Sequence, residues 1–130
     1  MAPTMGEGVL SNTPTPPVFV IDGLDIGVFA SVEEAVLQLE PVDVKQGEYS
    51  AYDSEGRLLG LAVDGGKVTA HLVDAQASHA DELAGKLRGF LKAMGATTAD
   101  DPECDLRCLV EASRKFMYSP PKFWPFRKRT

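Results

Sequence analysis

The side chains to weigh first for chemistry are a run of carboxylates, two histidines and two cysteines. Asp43, Glu48, Asp53 and Glu55 gather around one predicted strand. Paired carboxylates do general acid–base work when their surroundings push their pKa values apart. This spacing predicts no such split, because Asp53 and Glu55 fall in a turn where water screens them. Asp53-Ser54-Glu55-Gly56 lacks the ligand series of a calcium loop. His71 alternates with Ala70 and Leu72 and so points to the other sheet face. His79 falls at a helix start, where the dipole disfavours its cationic form. Neither adjoins a serine or cysteine in a nucleophile motif. Asp64-Gly65-Gly66-Lys67 lacks the glycine spacing of a phosphate loop, and a strand follows it rather than a helix. Cys104 and Cys108, four apart, would share one face of a helix. They have no zinc spacing to either histidine, and two cysteines are fewer than a secreted disulfide framework shows. They are expected as two small buried apolar residues. The reading is a chain with no catalytic residue, no metal site and no cofactor, and not an enzyme.

Binding is the remaining class of function, and charge points to it. The net charge of −6 is unevenly spread. Residues 1–106 hold 18 acidic and 6 basic side chains, a balance of −12, and residues 107–130 hold 1 and 7, a balance of +6. An acidic body repels nucleic acid and lipid headgroups and attracts basic partners. Asp22, Asp25, Asp43, Glu48, Tyr49, Tyr52 and Asp53 are the types a recognition face for a basic protein would use, carboxylates for cations and aromatics for buried area. Plain sheet packing is the alternative for the tyrosines. At the other end, Lys122, Phe123, Trp124, Phe126, Arg127, Lys128 and Arg129 mix stacking rings with cations. That composition suits single-stranded nucleic acid, an anionic membrane surface, or a return onto the chain's own acidic body.

These groups must be carried by a fold, and 130 residues fit one domain. Residues 1–17 are rich in Pro, Thr and Gly and read as a flexible lead. Residues 18–118 read as a single α+β domain, and residues 119–130 as a basic aromatic tail. Val18 to Ile21 and Ile26 to Phe29 are extended, with a turn at Asp22-Gly23-Leu24-Asp25. Ser31 caps a helix with Glu34 completing the capping box, and Val32, Ala35, Val36 and Leu39 make its apolar stripe. Pro41 stops it. Three strands follow, over 48–53, 57–63 and 67–73, joined by tight turns as an antiparallel meander. A helix from about Ser78 to Met94 carries Ala80, Leu83, Ala84, Leu87, Phe90, Leu91 and Met94 as its apolar stripe. Gly85 and Gly89 cost it roughly 1 kcal/mol each and are expected to let it lie close to the sheet. A last helix is expected from Asp101-Pro102 to the region before Ser119. Segregated strands and helices predict α+β: an antiparallel sheet with two to three helices packed on one face. With no charged, apolar leader and no apolar run of about 20 residues, the expected location is the cytoplasm.

Ser31-Val32-Glu33-Glu34-Ala35, Leu39-Glu40-Pro41-Val42-Asp43-Val44, Gly47-Glu48-Tyr49-Ser50-Ala51-Tyr52-Asp53 and Glu55-Gly56-Arg57-Leu58-Leu59 together resemble small uncharacterised bacterial proteins similar to immunity proteins of polymorphic-toxin systems. The resemblance covers roughly residues 26–94. It implies a non-enzymatic protein that neutralises a basic toxin domain, and it carries over no catalytic residue.

Overall fold

The computed structural model of the chain describes residues 12–23 and 25–117. Strands β1 (Val18–Asp22) and β2 (Asp25–Phe29) form a hairpin. Helices α1 (Val32–Leu37) and α2 (Pro41–Lys45) follow. Strands β3 (Ser50–Tyr52), β4 (Leu58–Asp64) and β5 (Lys67–Leu72) make the meander. Helices α3 (Ala80–Ala93) and α4 (Leu106–Ser113) come last, with 3-10 turns at Thr97–Asp100 and Arg114–Phe116. The strands stand in the order β2-β1-β3-β4-β5, and every neighbouring pair is antiparallel. The α+β class and the antiparallel sheet are as the sequence predicts.

The helices are placed differently from expectation, because they cover both faces of the sheet rather than one. β1 shows why. Val18 and Val20 enter a core completed by Ala35 and Leu39 from the α1–α2 side. Phe19 and Ile21, pointing the opposite way, enter a second core with Leu83, Leu87, Leu91 and Leu109 from α3 and α4. A strand that is apolar at every position, rather than at alternate ones, needs cover on both sides. Leu83, Leu87 and Leu91 recur every four residues along α3 and are fully buried.

Local chemistry sets the connections. Ser31 accepts a hydrogen bond from the Glu34 amide at 3.1 Å, the predicted cap of α1. Pro41 does not end the helical layer. It opens α2 at the first helical position, where its missing N–H costs nothing. Gly65 and Gly66, at φ 59° and 82°, supply the two left-handed residues of the β4–β5 turn. Gly56 (φ 84°) is required twice over, since a Cβ there would lie 2.4 Å from the Ala80 Cα. The β3–β4 turn is therefore pressed against the start of α3. That start is one residue later than expected, with His79 rather than Ser78 in the cap position. α4 also starts later, capped by Asp105, whose carboxylate accepts from the Cys108 amide at 3.0 Å.

This shift corrects the reading of the cysteines. Cys104 lies just outside α4 and Cys108 within its first turn, and they are joined as a disulfide across the cap. Their Cα atoms are 5.1 Å apart, within bridging range. Arg88 on α3 fixes the same loop, donating to the carbonyls of Ala99, Asp101 and Cys104 at 3.0, 2.9 and 2.6 Å.

The lead also departs from expectation where it is described. Thr13 and Thr15 are tied to the β3–β4 turn, as set out below, so residues 12–17 are not a loose segment. At the far end, Met117 forms a parallel bridge with Val28 on the edge strand β2. No helix of the described residues is long and apolar enough to cross a membrane.

Candidate functional site

The predicted recognition residues are not one surface. Asp53 is fully buried, Tyr52 is 1% exposed and Tyr49 is 9% exposed, so none of the three can be the contact side chain it was expected to be. Asp25 is exposed and Asp22 half-buried at the tip of the β1–β2 hairpin. Asp43 and Glu48 are half-buried on and after α2, which packs over β4 and β5 at the other side of the sheet. The tail residues Lys122, Phe123, Trp124, Phe126, Arg127, Lys128 and Arg129 lie outside the described residues.

Each buried member has a structural task. The Asp53 carboxylate is the acceptor at the centre of the β3–β4 turn. Its Oδ1 accepts from the amides of Glu55 and Arg57, both at 3.0 Å. Its Oδ2 accepts from the Thr15 amide at 2.9 Å and from Arg57 Nε at 2.9 Å, and forms an ion pair with the same guanidinium at 2.8 Å. Arg57 is itself fully buried and also donates to the Thr13 carbonyl at 2.9 Å and the Thr15 hydroxyl at 3.1 Å. A buried charge needs such a complete set of partners. Tyr49, at the edge of the α1–α2 core, donates its hydroxyl to Asp43 at 3.2 Å.

Tyr52, Glu82 and His79 form the arrangement closest to a catalytic one. The buried Tyr52 hydroxyl donates to Glu82 Oε2, and His79 Nδ1 lies 3.3 Å from Glu82 Oε1. Burial first, and then the bond to Glu82, pushes the Tyr52 pKa above its ordinary 10.0. The hydrogen bond from Tyr52, followed by that with His79, holds the Glu82 carboxyl below its ordinary 4.5. The tyrosine is thus kept protonated and the carboxylate kept ionised, each moved away from neutrality rather than toward it. A general acid or base works best with a pKa near the operating pH, so this pair fits a tie between sheet and helix better than proton transfer. His71 stands apart, exposed on the opposite sheet face from Val68 and Leu72, with its ring against Gly60.

The α1–α2 layer combines exposed charge with exposed apolar side chains. Residues 31–48 carry Glu33, Glu34, Glu40, Asp43 and Glu48 against a single cation, Lys45. Leu37 is 75% and Val42 57% exposed, two of the four large apolar side chains that stand out from the described surface. Sequence reasoning passed over both. The available signal was that Leu37 falls outside the Val32/Ala35/Val36/Leu39 stripe and Val42 precedes the half-buried Val44, so each is apolar where an amphipathic helix would be polar.

A second surface feature lies across the sheet. A groove of about 450 Å³ runs between the hairpin tip and α3, lined by Ile21, Gly23, Ile26, Gly85, Lys86, Gly89, Phe90 and Ala93. Here the expectation for the helix glycines fails. A Cβ at Gly85 or Gly89 would meet nothing within 4 Å, so neither is there to bring α3 close to the sheet. No group of three or more metal-ligating side chains occurs among the described residues. Comparison of the chain with known protein families, with curated proteins and with solved structures finds no match.

Proposed function

We propose that this chain is a non-enzymatic protein-binding module that engages a basic protein partner through its α1–α2 layer. The observation that carries the proposal is the coincidence of two exposed apolar side chains, Leu37 and Val42, with five carboxylates and one cation in the same 18-residue segment. An apolar centre inside a charged rim is the usual anatomy of a binding patch. The rim speeds encounter with a cationic surface, and the centre sets residence time. The most concrete form is an immunity protein that covers the cationic cleft of a toxin domain, which the resemblance of residues 26–94 supports. Asp43 and Glu48, half-buried on and after α2, stay in the proposed contact set. Tyr49, Tyr52 and Asp53 leave the proposed contact set.

The test is calorimetry with the product of the adjacent gene, at low and high salt. Leu37→Ser with Val42→Ser should weaken binding by about 2 kcal/mol or more if the pair is the centre of the patch. Glu33→Lys with Glu34→Lys should instead slow association and flatten the salt dependence. Absence of binding to that protein at low salt would remove the immunity form. Binding unaffected by either double variant would remove this surface.

Residence in the cytoplasm is part of the proposal, and the Cys104–Cys108 bridge supplies its check, because cytosolic thiols are normally kept reduced. Chain trapped with a thiol-blocking reagent in intact cells should carry two free thiols if it resides there. An intact bridge would place it in an oxidising compartment.

A further inference from the structure

β5 stands at one edge of the described sheet, with β4 as its neighbour on the inner side. Just past its end, Val73 donates its amide to the Leu58 carbonyl at 3.0 Å. With the register of the hairpin, this makes His71–Gly60, Thr69–Ala62 and Lys67–Asp64 directly bonded pairs of the same kind. The alternate residues Val68, Ala70 and Leu72 therefore turn their N–H and C=O groups away from β4, out of the sheet. Such a row is a template for another strand, and proteins blunt it with proline, a bulge, a central charge or a cover. β5 has no proline, its pairing with β4 is continuous, and its lysine stands at the first position rather than the centre. The opposite edge, β2, is met by Met117.

We infer that β5 pairs antiparallel with β5 of a second copy of this chain, centred on Ala70, so that two five-stranded sheets join edge to edge. The strand is complementary to itself in that register. Val68 opposes Leu72, Ala70 opposes Ala70, and about six hydrogen bonds cross the seam. On the other face Lys67 stands beside Val73 of the second copy, and Thr69 beside His71. A shift of two residues in either direction leaves one of the three outward residues unpaired within the strand. One such shift also opposes Lys67 to His71, and the other opposes His71 to itself. Charge favours a second copy too, because β5 holds no carboxylate in an otherwise acidic body, and two copies meet there without opposing negative charge. Val73 is 55% exposed, and the aliphatic stem of Lys67 from the second copy covers it in this register. Nothing bulky obstructs the approach. His71 folds back over Gly60, where a Cβ would lie 2.7 Å from its ring, and Ala70 at the axis is small. Ala70 and Leu72 are only half-buried, so the α1–α2 layer does not close over the seam. A pairing that uses the same edge on both copies closes on itself, and the assembly stops at two. The seam shares no side chain with the proposed partner surface, so either can exist without the other.

Sedimentation velocity of the full chain, from micromolar to near-millimolar concentration, should show a monomer passing to a species of twice its mass. Hydrogen exchange followed by NMR then reads the seam residue by residue. The amides of Val68, Ala70 and Leu72 should be protected in the dimer and exchange freely on dilution, while those of Thr69, His71 and Val73 stay protected in both states. Ala70→Pro removes an amide that no β4 carbonyl accepts, a place where an edge strand tolerates proline. It should weaken the dimer by about tenfold or more. Thr69→Lys leaves the β4–β5 ladder intact and sets two new cations on the diagonal across the axis, so it should weaken the dimer as well. A monomer at every concentration overturns the inference, and so does a larger polymer. A dimer in which the three outward amides exchange freely, or one that both variants leave intact, is joined elsewhere and overturns it too.

Discussion

Asp53→Ala tests the buried clamp most directly. The variant removes the acceptor for three amides, those of Thr15, Glu55 and Arg57, and leaves the Arg57 guanidinium without its counter-ion. Both partners of the pair are wholly inaccessible, so water cannot replace the lost carboxylate without the turn opening. Breaking a buried pair in this way costs about 3–5 kcal/mol. For a small domain, urea sensitivity is about 1–3 kcal/mol per molar, so the unfolding midpoint should fall by about 2 M. That is a large share of a typical total of 5–15 kcal/mol, and Asp53→Asn, which keeps shape and loses charge, is the milder companion. Asp53→Ala combined with Arg57→Met removes the stranded charge as well and should recover part of the loss. Hydrogen exchange gives a local readout. The amides of Thr15, held by Asp53, and of Ser54, held by the Thr15 carbonyl at 2.9 Å, should lose protection before those of the sheet centre. A loss under about 1 kcal/mol in Asp53→Ala, or a double variant as unstable as the two single losses added, would refute the view that an uncompensated buried charge dominates here.

Other expectations follow from the same contacts. Gly56→Ala combines a left-handed backbone with a 2.4 Å approach to the Ala80 backbone, and should cost about 2–3 kcal/mol by thermal or urea unfolding, where the open Gly23 turn tolerates alanine better. Reducing Cys104–Cys108 opens a loop of separation 4, for which chain entropy gives about 2 kcal/mol. Urea unfolding with and without a reductant measures it, and a midpoint that does not move would show the bridge to be neutral. Glu82 lies below 4.5 in the folded state, so the tie to Tyr52 stabilises fully above that pH and is lost as pH falls through the folded value. Tyr52 lies above 10.0, so its contribution is whole below pH 10 and is lost as pH rises beyond it. Tyr52→Phe should therefore flatten both the acid and the alkaline limbs of the stability curve, and unchanged limbs would remove the tie.

Much of the fold was legible because it rests on local rules. Ser31 with Glu34, the glycine pair of the β4–β5 turn, and the leucines of α3 each act within a few residues, where sequence spacing is spatial spacing. The helices on both sheet faces were also written in Val18-Phe19-Val20-Ile21, but a run of four apolar residues does not say which partner covers which side. The candidate site was less legible for a different reason. Asp53 and Tyr52 have the composition of a contact surface, and only long-range pairing, to Thr13 and Thr15 in one case and to Glu82 in the other, turns them inward. The Cys104–Cys108 bridge depended on a shift of a few residues in the start of α4, finer than propensity resolves. Leu37 and Val42 were visible as apolar residues out of phase, a signal that counts only once the stripe beside them is known to be buried.

Covering β1 on both sides has a consequence for sequence variation. In a saturation-mutagenesis scan, positions 18 to 21 should form an unbroken block of intolerance, since every side chain there is 5% exposed or less. β5, with Val68 buried and Lys67, Thr69 and His71 exposed, should give a comb of alternating sensitive and permissive positions. A homologue could therefore drift freely along that outer strand while its second-position strand stayed nearly constant, and β1 would be the segment by which distant relatives are recognised.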